Sequence, residues 1–164
     1  MKPLSVVVRT ICDIFMWFVA VFGAYIIIHG HITPGGGFQG GAVVATLIAF
    51  MLVAHGGEKM VSFVRTGMYS AVETTGLLVF ICAGFFGIAT TFVYNFLAKQ
   101  GGLFGSTVPL GANSGVLNSS GTIALMNMGV GLEVIGGLSL IIYYMFRGIR
   151  LHVETGSEET GHDR

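Results

Sequence analysis

Three carboxylic acids sit where an apolar chain has least reason to keep them: Asp13, Glu73 and Glu133. An ionisable side chain at membrane depth costs about 3 kcal/mol or more, so each needs a partner or a task. Glu133 lies in the apolar run 122–146, which has no basic residue before Arg147. Gly129 and Gly137 are four residues to either side of it, and Gly136 is beside them. That spacing puts the carboxyl on a small-residue face suited to helix contact. A carboxyl there could exchange a proton, hold a cation, or hydrogen-bond a neighbouring subunit. Glu73 begins a second such face, followed by Gly76, Phe80, Gly84 and Gly87. It reads either as an entry for protons or Na+ or as an acid steadied by a helix N-terminus. Asp13 lies one turn after Arg9, so a local ion pair is expected there, with a transport role as the alternative.

Two histidines, His29 and His31, flank a turn and could in principle relay protons or bind a metal. With no further ligand types nearby, interfacial histidines are the plainer reading. Cys12 and Cys82 both fall in apolar runs and read as small buried hydrophobes. No catalytic constellation, resident cofactor or metal site is expected.

The segment His29-Gly30-His31-Ile32-Thr33-Pro34-Gly35-Gly36-Gly37-Phe38-Gln39-Gly40-Gly41 is the most unusual stretch. Gly35-x-Gly37-x-x-Gly40 matches the dinucleotide fingerprint formally, but an apolar helix precedes it where that fingerprint needs a strand. Pro34 ends the first helix and biases Thr33 toward an extended conformation. The glycines permit positive φ and close backbone approach, and Gly40 and Gly41 carry the small surface into the next helix. The segment is either a tight hairpin turn with close helix packing or a turn that lines an ion path.

These residues must be positioned by membrane helices. The 164-residue chain is 53% hydrophobic and only 10% charged, with a mean hydropathy of +0.81. A typical soluble domain has roughly 25% charged residues. Lys/Arg and Asp/Glu number eight each, and the basic residues are dispersed, which excludes nucleic acid as a partner. The expected fold is all-α: an integral membrane protein with four transmembrane helices and a Gly-rich turn between helices 1 and 2. The spans are placed at 4–29, 38–54, 68–98 and 122–146, giving a transmembrane domain over 1–147 and a polar cytoplasmic tail over 148–164. Span 68–98 would be about 46 Å long, so it must tilt, project or break, with Gly84 and Gly87 as the weak points. Lys2, Arg9, Lys59, Arg65, Arg147, Arg150 and Arg164 fall on one side of this arrangement and Lys99 alone on the other. The positive-inside rule then places both termini in the cytoplasm. No cleavable leader and no internal repeat are evident, and the latter disfavours a self-contained inverted-repeat transporter.

The run HGHITPGGGFQGGAVVA resembles the signature of the B subunit of Mrp-type multisubunit Na+/H+ antiporters. The same domain occurs in related archaeal membrane-bound hydrogenases and sulfur reductases. The resemblance covers residues 1–150; the loop 101–121 is long for that pattern and the acidic tail lies outside it. It implies a small, non-catalytic subunit of the cell membrane that works beside other membrane subunits, including large antiporter-like ones. Na+ and H+ would be the transported ions. Glu133 and the turn residues Pro34, Gly35, Gly36, Gly37 and Phe38 are the expected contributors to an ion path. The alternative is a purely structural subunit without a path of its own.

Overall fold

The computed structural model describes residues 4–56, 65–88, 90–108 and 116–159. Among the described residues the chain forms four α-helices: α1 Val6–His29, α2 Gly37–His55, α3 Thr66–Phe86 and α4 Thr122–Glu159. A single 3-10 turn, Leu117–Ser119, precedes α4, and no strand occurs among the described residues. Each helix holds a stretch long and apolar enough to cross a membrane, which in α4 is Thr122–Ile149. The protein is therefore a multi-pass membrane protein of the all-α class.

Local chemistry sets the helix ends. Ser5 caps α1, its side chain accepting from the Val8 nitrogen at 3.5 Å. After His29 the chain turns through Gly30 and Pro34, and Gly35 takes φ +128°, a conformation open to glycine at little cost. At the head of α2, the Gly36 nitrogen donates to Gln39 Oε1 at 2.7 Å, and that bond holds the first turn. The first turn of α4 is tied from outside the helix. Asn95 Oδ1 accepts from the Thr122 nitrogen at 2.8 Å and from the Thr122 hydroxyl at 2.9 Å.

Two boundaries differ from expectation. The third helix stops at Phe86 instead of running to 98, because Gly87 ends it and the chain folds back. The Val93 nitrogen donates to the Gly84 carbonyl at 3.1 Å, and a side chain on Gly87 would meet the Tyr94 backbone at 2.6–2.7 Å. Conversely, the backbone after Phe146 stays helical to Glu159 where a polar tail was expected. Lys2, Lys59 and Arg164, used for the charge asymmetry, lie outside the described residues, as does Pro109 of the long loop.

The helices line up in the order α1, α2, α4, α3. α4 packs against α2 on one face and α3 on another, α1 packs mainly on α2, and α3 makes no substantial contact with α1 or α2. The burial pattern inverts that of a soluble bundle. Ala45, Ala54, Ala83 and Ala124 are buried, whereas Trp17 is 77% exposed and Phe86 70%. Small residues let backbones approach closely, and large apolar ones face outward.

Candidate functional site

α4 is the common wall of two different seams. The first joins it to α2 and to the glycine turn. Asn127 projects from α4 into that turn. Its Oδ1 accepts from the Gly37 nitrogen at 2.6 Å, and its Nδ2 donates to the Ile27 carbonyl at 2.5 Å. One side chain thus satisfies a free N–H at the start of α2 and adds a second donor to the Ile27 carbonyl at the end of α1, which also accepts from the Gly30 nitrogen at 3.4 Å. The neighbouring glycines make the room. A Cβ on Gly30 would stand 2.8 Å from Asn127 Nδ2, and one on Gly36 would stand 3.1 Å from its Oδ1. Gly37 lies directly against the Asn127 carbonyl and would crowd the Gly131 nitrogen at 2.7 Å. Further down, a Cβ on Gly41 would stand 2.8 Å from the Gly131 carbonyl, and one on Gly40 would stand 2.9 Å from the Gly23 carbonyl of α1.

The other turn residues are placed around this lock. His29 Nδ1 lies 3.0 Å from the Tyr25 carbonyl, and its ring stacks on Tyr25 with centroids 4.0 Å apart. His31 turns elsewhere, with Nε2 3.0 Å from the Leu117 carbonyl. The histidines therefore serve separate contacts, and no group of three metal-ligating side chains occurs among the described residues. Thr33 donates its hydroxyl to the His29 carbonyl at 3.0 Å. Pro34, Gly35 and Thr33 line an open cavity of about 640 Å³ with Phe22, Tyr25, Ile26 and Gln39. Phe38 is exposed.

The second seam joins α4 to α3 and carries two acids. Gly76 of α3 lies against the Glu133 nitrogen and would place a Cβ 2.5 Å from the Gly129 carbonyl. Gly129 in turn faces the Gly76 carbonyl at 3.0 Å. One turn along, a Cβ on Gly136 would stand 2.6 Å from both the Glu73 nitrogen and the Tyr69 carbonyl, and one on Gly137 would stand 3.4 Å from Glu73 Oε1. Each acid is thus opposite a glycine of the facing helix: Glu133 opposite Gly76, Glu73 opposite Gly136 and Gly137. Both are half-buried, and neither carboxyl has a hydrogen-bond or ion-pair partner among the described residues. Gly84 sits near the far end of α3 against Phe92 and Val93, and Gly87 closes the helix.

Asp13 is apart from both seams. Its carboxylate pairs with His55 Nε2 at 2.7 Å, across from α1 to the last residue of α2, and not with Arg9 as helical spacing implied. The Leu4 nitrogen reaches the Ala54 carbonyl at 3.2 Å at this same end. The functional residues missed from sequence are Asn127 and His55. Asn127 left a signal, a lone amide inside an otherwise apolar run.

Comparisons with known proteins fit this architecture. A family model described as a domain related to the MnhB subunit of Na+/H+ antiporter matches residues 7–140. An uncharacterized protein of Methanocaldococcus jannaschii is 31% identical over 125 residues, covering 75% of this chain and 45% of its own length. A Staphylococcus aureus protein named as antiporter subunit mnhB2 is 35% identical over 60 residues, covering 37% of this chain and 43% of its own. The chain therefore spans about half the length of these curated relatives. Among solved structures, the membrane-bound sulfane sulfur reductase, an archaeal respiratory membrane complex, contains a chain with 32% identity and a TM-score of 0.71. That match covers 87% of this chain and 58% of the solved one. With four membrane helices around a glycine turn and the family pattern running across most of them, the chain belongs to the family of domains related to the MnhB subunit of Na+/H+ antiporters.

Proposed function

We propose that this protein is a small membrane subunit of a multisubunit monovalent cation/proton antiporter module, and that its α3–α4 seam helps to form or couple the ion path. The observation that carries the reading is the pair of acids, Glu73 and Glu133, set on one glycine-lined seam with neither carboxyl engaged by another described residue. The Glu73 carboxylate lies beside Gly137, whose missing side chain leaves space there for water or a cation, and a carboxylate so placed can take and return a proton; Gly76 lies against the backbone of Glu133. Na+ and H+ are the ions assigned in this reading, since a carboxylate can both ligate a hard cation and accept a proton. The partners in this reading are other membrane subunits, including large antiporter-like ones. The likeness to a chain of the sulfane sulfur reductase supports a redox-driven respiratory complex as host. Arg9, Arg65 and Arg147 lie at one end of the helix row and Lys99 at the other, which supports cytoplasmic termini.

A structural role is the second reading, favoured by glycine at every helix crossing described above. The substitution Glu133→Gln separates the two. It keeps the side chain's shape and removes its charge. Antiport in everted membrane vesicles, measured beside the amount of assembled complex, should fall by at least about tenfold with assembly intact, the loss expected when a positioned proton-transfer group is removed. Full antiport from a normally assembled complex would leave the seam with a packing role alone.

A further inference from the structure

The segment after α3 returns toward the membrane instead of leaving it. α3 spans Thr66–Phe86, about 31 Å of helix against a hydrocarbon core of about 30 Å, so Phe86 lies near the core boundary. The chain does not rise from there. Val93 bonds back to the Gly84 carbonyl, which brings Phe92 and Val93 level with the last turn of the helix. Phe92 packs edge-on to Phe85, with centroids 5.4 Å apart, and lies 3.4–3.6 Å from where a Cβ on Gly84 would stand. Even so, Phe92 is 61% exposed, and Val93 and Tyr94 are each nearly half exposed.

Two further features fit a segment at that depth. Non-helical backbone near lipid must satisfy its polar groups internally. Here Ile88, Thr90, Thr91, Val93, Tyr94 and Phe96 all donate their N–H groups to nearby carbonyls, at 2.9–3.3 Å. Val93 also holds φ +65°, a strained conformation for a β-branched residue, and it keeps its apolar side chain turned outward there. A loop bathed in water would gain nothing from three exposed apolar side chains at this level.

We propose that Phe92, Val93 and Tyr94 form a re-entrant membrane contact whose occupant is the lipid at the boundary of headgroups and acyl chains. The exposed apolar face of α3, with Phe85 and Phe86, runs directly into it, so it continues the apolar surface of a helix long enough to cross a membrane. Tyr94 suits that boundary, where an amphipathic ring can keep its hydroxyl in the polar layer.

Spin labels at Phe92→Cys and, separately, Tyr94→Cys test this in the full chain with Cys12 and Cys82 replaced by alanine. Each variant is reconstituted in liposomes and, in parallel, isolated with its native membrane partners. Helix content by circular dichroism establishes that it folds. Collisions with oxygen, which concentrates in hydrocarbon, should exceed collisions with a water-soluble nickel chelate at both positions. A label at Gln100→Cys, further along the loop, should show the reverse order. Higher nickel than oxygen accessibility at 92 and 94 would make this an aqueous loop and overturn the proposal. Low accessibility to both reagents in the complex would show a protein subunit covering the segment and overturn it equally.

Discussion

The two seams of α4 are built from the same small residues and end in opposite chemistry. On the α2 side, the polar side chain is an amide, and it is fully engaged: Asn127 gives its oxygen to Gly37 and its nitrogen to Ile27. On the α3 side, the polar side chains are acids, and neither has a partner among the described residues. Glycine alone therefore does not mark a working site in this protein. Glycine makes room on both sides, and the seams differ in their polar groups: an amide engaged twice on one, acids without a described partner on the other. Two glycines of the GGG run fit the lock, since Gly36 and Gly37 border Asn127, as Gly30 does from the end of α1; Gly35 instead supplies the positive φ of the turn.

The largest expected effect belongs to the lock. Gly37→Ala drives a Cβ into the Asn127 carbonyl and the Gly131 nitrogen, both backbone atoms of a packed helix. Overpacking of that kind costs about 3 kcal/mol, and unfolding in mild detergent should register it as a loss of resistance to heat or SDS. Asn127→Ala comes next. It leaves the buried Gly37 N–H without its partner and the Ile27 carbonyl with only the longer bond from Gly30, at about 1–2 kcal/mol in a membrane setting, read by the same assay. Gly131 and Gly41 would still hold α2 against α4, so assembly should weaken without failing. Asp13→Asn should have the least effect, about 0–1 kcal/mol, because the His55 pair is half exposed. A stability loss at Asp13 as large as that at Gly37 would contradict the division of labour drawn here.

Much of this fold was legible in the residues, for physical reasons. Long uncharged runs have few alternatives to spanning helices, and Pro34 with its glycines marks a turn by removing a donor and opening φ. Hydropathy extends the helix over 87–98, because GIATTFVYNFLA is as apolar as a helix should be. Apolar composition reports depth, and a segment folded back along α3 shares that depth. The excess length of the span, with Gly84 and Gly87 as its weak points, signalled the break, and the helix ends at the second of them. The tail failed in the other direction, since polarity after Phe146 ends the span without ending the helix. Asp13 was assigned to Arg9 by helical spacing, which sees four residues along one helix and not the 42 that separate Asp13 from His55. Asn127 was passed over in favour of charged groups, although its amide bridges two helix ends that no other described side chain reaches in the same way.

The central claim concerns the α3–α4 seam, and a double-substitution cycle addresses it most directly. Antiport per assembled complex is measured for Glu73→Gln, Glu133→Gln and the pair together. If the two acids serve one path, each single change lowers the rate strongly and the double change lowers it little further, as residues acting as a unit are not additive. Unchanged antiport in both single variants, with the complex assembled, would contradict the account.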